Sequence, residues 1–298
     1  MRALMPSVVL ALFLGTSALA ADLSIPTAQG EVTLAAPPEK VAVYDLPALD
    51  TLTALGVEAA GVPERLYVAR LEAVAGKAAP VGTLFEPNLE ALAGLAPDLV
   101  IVGGRSAAQK AAVEQVAPVI DMTIGEDLLG DARARLEAFG TLFGREQKAA
   151  ELEAELDRRI AAATDAGKDK GRALIVMTNG PKLAAYGRNS RFGWIHAATG
   201  MPEAADHIST ANHGDAISHE FIAQANPDWL FVIDRAAAIG EAGQSAQATL
   251  DNPLVAGTNA WKSGHVVYLD AADAYISAGG YGSTVSLLDA LTKALTGQ

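Results

Sequence analysis

Glu220-Phe221-Ile222-Ala223-Gln224-Ala225-Asn226-Pro227-Asp228-Trp229-Leu230-Phe231-Val232-Ile233-Asp234-Arg235 has an earlier counterpart in this chain. That counterpart runs from Glu90 to Arg105, with Pro97-Asp98 in the same place and Leu99-Val100-Ile101-Val102 as its apolar run. Glu90 and Glu220 are 130 positions apart, and so are Arg105 and Arg235. Each copy reads as a short helix, a Pro-Asp turn, a buried strand and an arginine at the strand's end. The helices are short because Pro97 and Pro227 disfavour helical geometry in the residue before them. The apolar runs are too brief for helices and are rich in Val and Ile, which favours strand. A chain that repeats one αβ unit at this distance is expected to have two similar lobes.

Working outward, strands and helices alternate. Val41-Ala42-Val43-Tyr44 reads as a first strand, Pro47 to Leu55 as a helix with proline in its first turn, and Ala59 to Val62 as a second short strand. After the Glu90–Arg105 unit come an expected helix from Ala107 to Val116 and a strand around Val119 to Met122. This alternation predicts a parallel, doubly wound sheet. Helical segments follow from Ala132 to Phe143 and from Glu146 to Thr164. The latter has no Gly or Pro, and at 1.5 Å per residue spans roughly 28 Å, about the width of a small domain. Lying between the two copies, it predicts a rigid bridge. Beyond Gly167–Gly171 come strands at Ala173–Met177 and Leu183–Tyr186, a loop from Gly187 to Arg191, and a helix from Phe192 to Ala198. After the second copy, Val266 to Leu269 is the last strand and Val285 to Leu295 the terminal helix. The expected fold is therefore α/β, two αβ sandwich lobes with parallel sheets joined by a single long helix.

Residues 1–20 read as a secretory signal peptide: Arg2, an apolar run from Val8 to Leu14, and Ala18-Leu19-Ala20 as a small-residue cleavage site. The remaining boundaries follow as an N-terminal lobe over 21–140, an interlobe helix over 141–166 and a C-terminal lobe over 167–298. Cysteine is absent, so there is no disulfide framework, thiolate metal site or cysteine nucleophile. Ala21 stands where a lipid-anchored exported protein would need cysteine, so a freely diffusing periplasmic monomer is expected. The whole chain carries a formal charge of −13, and loss of the leader removes Arg2 and no acid. Such a balance disfavours nucleic acid as a partner, and makes any cluster of arginines more informative.

Arg105 and Arg235 close the two repeated strands, and Arg191 sits in a glycine-rich turn ahead of a helix. Ligands of open α/β sheets bind beyond the carboxyl ends of the strands. If the lobes face each other across a cleft, these three cations can converge on a compact anion, for which the permanently charged guanidinium fork is suited. His213, in Ala211-Asn212-His213-Gly214-Asp215, stands in a glycine-flanked loop from which a ring nitrogen can reach a transition metal. Tyr275 follows the last strand, and its phenolate oxygen would be a hard donor suited to ferric iron. Tyr281 stands six residues on as an alternative. There is no GxSxG elbow, no dinucleotide-binding glycine fingerprint and no HExxH pair, so no enzymatic constellation is expected.

From about Val41 onward the chain resembles periplasmic binding proteins of the iron–siderophore and cobalamin class. It is most similar to the subgroup for ferric catecholates. The phrases carrying the likeness are Val41-Ala42-Val43-Tyr44-Asp45 with Leu49-Asp50, Pro97 to Arg105, Ser190-Arg191-Phe192-Gly193, His213-Gly214 and Asn226 to Arg235. The resemblance implies that Arg105, Arg191 and Arg235 hold the anionic catecholate–iron centre. It implies that His213 and Tyr275 bind iron directly when the siderophore supplies four donors. It also implies that Glu90 and Glu220, one per lobe, dock onto the permease of an ABC importer. No intrinsic cofactor is implied, since Fe(III) arrives as a siderophore complex. A haem or cobalamin carrier of the same fold is the alternative, and an exported αβ hydrolase a more distant one that lacks a nucleophile–base pair.

Overall fold

The computed structural model describes residues 23–206, 208 and 213–297. The leader expected over 1–20, His207, and Ala211-Asn212 of the His213 loop lie outside these residues. The described chain opens with an antiparallel hairpin, β1 (Leu23–Thr27) and β2 (Gly30–Leu34). The first lobe then contains β3 (Val41–Val43), α1 (Leu46–Ala54), β4 (Gly61–Val62), β5 (Ala79–Pro80), α2 (Leu89–Leu95), β6 (Leu99–Val102) and β7 (Val119–Asp121). Its five strands form an all-parallel sheet in the order β5-β4-β3-β6-β7. Two helices follow, α3 (Leu128–Leu142) and the long α4 (Glu146–Gly167), whose 22 residues span roughly 33 Å.

The second lobe contains β8 (Ala173–Asn179), β9 (Lys182–Tyr186), α5 (Trp194–Thr199), β10 (Asp215–Ile217), α6 (His219–Ala225), β11 (Trp229–Asp234), α7 (Arg235–Ile239) and β12 (Val266–Tyr268). The chain ends with α8 (Ala271–Tyr275) and α9 (Tyr281–Thr296). The sheet order is β10-β9-β8-β11-β12. Here the expectation of a wholly parallel sheet needs correction, because β9 runs antiparallel to both of its neighbours, β8 and β10. The reason is local: only Gly180-Pro181 separates β8 from β9, and Gly180 supplies the positive φ (+57°) that a two-residue hairpin needs. The helix expected over Ala107–Val116 is also corrected, to a single 3₁₀ turn at Ala107–Gln109 and a short helix at Lys110–Val113.

The repeated unit keeps the same framework in both lobes. Leu92 and Ile222, equivalent positions on α2 and α6, are each fully buried under their sheets. Both helices stop at a left-handed residue, Ala96 (φ 49°) and Asn226 (φ 42°). The aspartate of each Pro-Asp turn then stitches the unit to the neighbouring strand. Asp98 accepts from the main-chain N–H groups of Glu39 (2.7 Å) and Lys40 (3.0 Å), ahead of β3. Asp228 accepts from that of Arg172 (2.8 Å), ahead of β8. The strands that follow, β6 and β11, lie between two others and are covered on both faces, which explains their unbroken apolar runs.

The long α4 is not the sole link. The terminal helix α9 packs along α4, with Arg159 paired to Asp289, and its N-terminus reaches α1 of the first lobe. There the Ser283 N–H donates to Asp50 (2.7 Å) and the Tyr281 N–H to Thr51 (3.1 Å).

Candidate functional site

Between the carboxyl ends of the two sheets lies a cleft of about 710 Å³. The first lobe contributes Asp45, Phe85, Arg105 and Ile124 to its walls, the second Asn189, Arg191 and Phe192, and the segment after β12 Tyr275, Ile276 and Ala278.

Each arginine is placed by its own turn. Arg105 follows β6 through Gly103-Gly104. A Cβ at Gly103 would lie 2.8 Å from the Asp45 carboxyl carbon, and Gly104 has φ +47°. Gly104 N–H donates to the Thr123 hydroxyl (2.9 Å), which donates to Asp121 (2.6 Å). Arg191 sits in a turn closed by Ser190, whose hydroxyl donates to the Gly187 carbonyl (2.6 Å). Gly193 cannot be replaced there, since a Cβ would fall 1.9 Å from the Arg188 carbonyl oxygen. Arg235 opens α7, capped by Asp234, which accepts from the Ala237 N–H (3.1 Å).

All three meet at Tyr275. Arg105 and Arg191 each donate to the Tyr275 carbonyl at 2.6 Å, and Arg105 also to that of Ile276 (3.3 Å). Arg235 Nε donates to the Tyr275 hydroxyl (3.2 Å) and Nη1 to Asn179 (3.2 Å). The guanidinium carbons lie 4.3 Å (Arg191), 5.0 Å (Arg105) and 5.8 Å (Arg235) from the centre of the phenol ring. Such cation–π contacts are favourable when desolvated, and they surround one aromatic ring with three positive charges.

Burial, and then the charge of Arg191, push the Arg105 guanidinium down from its ordinary value. Arginine nevertheless stays protonated, so Arg105 is a largely desolvated cation beside a second one, Arg191. Burial works to raise the Tyr275 phenol. The Arg235 hydrogen bond and the charges of Arg191 and Arg235 outweigh it, and the phenol sits below its usual range. Asp45 lines the cleft too, but it is held by Arg135 (3.0 Å) beneath α1, and burial pushes its carboxyl up.

Tyr275 is anchored from below. Two residues earlier on α8, Asp273 accepts a bidentate pair from Arg70 of the first lobe, at 2.5 and 2.6 Å. Arg70 also lies 3.9 Å from Asp50 and donates to Ser283 (3.1 Å). Sequence reasoning does not find this cluster, because Arg70 and Asp273 stand 203 residues apart and neither sits in a motif. Asn179, the acceptor for Arg235, is missed likewise.

His213 stands outside this convergence. It is exposed and is not among the residues lining the cleft. Its main chain is tied to the site, since the Tyr186 hydroxyl donates to the His213 carbonyl (2.9 Å). Gly214, at φ +69°, packs so closely that a Cβ would lie 2.6 Å from the Ala185 carbonyl. Glu90 and Glu220 are exposed, each in the first turn of its seven-residue helix. Among the described residues no group of three or more His, Asp or Glu side chains is gathered to hold a metal ion.

Residues 41–272 match the periplasmic binding protein family. The petrobactin-binding protein YclQ of Bacillus subtilis is 36% identical over 258 residues, covering 84% of this chain and 80% of that protein. Its crystal structure superposes with a TM-score of 0.85 over 92% of this chain and 98% of that one. The iron uptake ABC transporter substrate-binding protein PiuA of Streptococcus pneumoniae Canada MDR_19A gives 0.86 at 33% identity, over 91% and 98%. The periplasmic catecholate-siderophore binding protein VctP of Vibrio cholerae gives 0.85 at 28% identity, over 91% and 99%. The match begins at β3 and runs through both sheets into α8, and with it the chain belongs to the periplasmic binding protein family.

Proposed function

We propose that this protein is a monomeric periplasmic carrier that captures an anionic Fe(III)–catecholate siderophore and delivers it to an ABC importer. The observation that carries the reading is the gathering of Arg105, Arg191 and Arg235 around Tyr275, with Arg105, Arg191 and Tyr275 lining one cleft of an otherwise acidic protein. A tris-catecholate ferric complex carries about three negative charges. At an effective dielectric near 20, one such charge 4 Å from a guanidinium is attracted by about 4 kcal/mol. Tyr275, whose phenol Arg235 and Arg191 hold below its usual range, is the iron donor on the cleft side. His213 is the second donor, from a loop held at its main chain by Tyr186. Together they complete the coordination of a complex that arrives with four donor atoms. Glu90 and Glu220 form the two-point contact with the permease. The names of the relatives, petrobactin and catecholate-siderophore binding proteins among them, point to the same ligand class.

The test is titration with Fe(III)–catecholates while following tryptophan emission; Trp194, three residues beyond Arg191, is the expected reporter. Saturable quenching is expected, and quenching by haem or cobalamin alone would remove the reading. His213→Ala should weaken tetradentate complexes far more than hexadentate ones; equal losses would remove His213 from the iron.

A further inference from the structure

Phe85 is the most exposed large apolar side chain among the described residues, at 56%, followed by Leu254 (41%) and Leu89 (36%). Of these three, Phe85 alone lines the cleft. Its exposure is not that of a loose loop. Thr83 N–H donates to the Glu86 carbonyl (2.9 Å), and the Thr83 hydroxyl accepts from the N–H groups of Phe85 (3.3 Å) and Glu86 (3.0 Å). Asn88 N–H donates to the Val81 carbonyl (2.9 Å), closing the base of the turn. Gly82 at φ +97° has no room for a side chain, since a Cβ would lie 2.4 Å from Asn88 N. Leu84, next to Phe85, is buried in the first-lobe core and pegs the turn down. The chain thus fixes a rigid tip and directs an aromatic ring outward into the cleft.

We infer that Phe85 is a specificity-determining residue, whose ring covers a flat aromatic face of the bound ferric complex. The inference rests on the ferric-catecholate reading above and goes beyond it, by assigning a first-lobe residue that recognises the ligand's rings rather than its charge. Three arginines would accept any compact anionic iron complex, carboxylate-based ones included. An aromatic face in contact with catechol rings adds a term that such complexes cannot use. Because the turn is already ordered, little conformational freedom is lost when the ring is engaged.

The experiment compares wild type with Phe85→Ala, Phe85→Leu and Phe85→Trp, titrated with Fe(III)–2,3-dihydroxybenzoate. Ala should weaken binding about tenfold, within a range of roughly three- to thirtyfold. Leu, which keeps apolar area without a ring, should recover less than half of that loss on a logarithmic scale. Trp should bind within about threefold of wild type, its new emission quenched on saturation. Thermal midpoints of all three should match wild type, because the side chain stands in solvent. Wild-type-like binding by Phe85→Ala, or full recovery by Leu, overturns the role of the ring while leaving the ferric-catecholate reading intact. Failure of wild type to bind overturns both.

Discussion

The two lobes share a frame and differ at their edges. In both, a helix anchored by one buried aliphatic residue ends in a left-handed turn, an aspartate stitches the turn to the next strand, and an arginine follows the buried strand. The first lobe continues its sheet with two short parallel strands and presents Phe85 from a tight turn beyond them. The second folds back through a hairpin at Gly180-Pro181 and presents Arg191 from the loop after it. Duplicated backbone therefore supplies the paired cations, and in the proposed carrier the residues assigned to telling one ligand from another sit on segments that are not duplicated.

That contrast can be broken most sharply at the arginines. Arg105→Met should cost about 2–5 kcal/mol of ligand affinity, the range for removing one partner of a buried charge pair. Arg235→Met should cost less, about tenfold in affinity, because Arg235 is partly exposed and already 3.8 Å from Glu241. Equal losses in a ligand titration would restore the symmetry. Next come the aspartates. Asp98→Ala and Asp228→Ala should each lower stability by about 1–3 kcal/mol in urea unfolding, each removing the acceptor for main-chain N–H groups. The Arg172 N–H bond holds the Asp228 carboxyl below its usual range. Its stabilisation is therefore present above the unfolded carboxylate pKa of about 4 and is lost as pH falls through the lower folded value. Asp228→Asn should flatten that acid limb of the melting curve. A smaller effect separates Ala96 from Asn226. Ala96→Gly should stabilise by about 0.5–1 kcal/mol by relieving a left-handed alanine. Asn226→Gly should destabilise by about 1 kcal/mol, losing the bond from Asn259 N–H (2.9 Å) to its side chain. The smallest effect on binding is expected for Glu90→Ala with Glu220→Ala, which should leave affinity unchanged while slowing uptake in cells; unaltered uptake would end the two-point docking idea.

Much of the frame was legible because β6 and β11 are buried on both faces, so that their Val- and Ile-rich runs could not be mistaken for helix. The 130-residue offset relates Arg105 to Arg235 in the sequence itself. The antiparallel edge was less visible, although Gly180-Pro181 between two apolar runs was its signal, because strand direction depends on one short connection. The Ala-rich stretch after Arg105 reads as one long helix, where the chain forms a 3₁₀ turn at Ala107–Gln109 and a short helix at Lys110–Val113 with Val113 alone buried. Phe85 and the Arg70–Asp273 pair were not legible at all. An exposed phenylalanine in a turn has no periodicity to betray it, and an ion pair 203 residues apart exists only after the chain has folded.

That ion pair also sets an order of assembly. Tyr275 stands two residues from Asp273, and α9 grips α1 through Ser283–Asp50 and Tyr281–Thr51, contacts 233 and 230 residues apart. Loops of this length close late, since the entropy opposing closure rises with length and local contacts form first. A chain truncated before α8 would lose Tyr275 together with Ala274, Leu287, Leu288, Leu291 and Leu295 of the second-lobe core, so the cleft and that core are completed together, when the tail returns to the head.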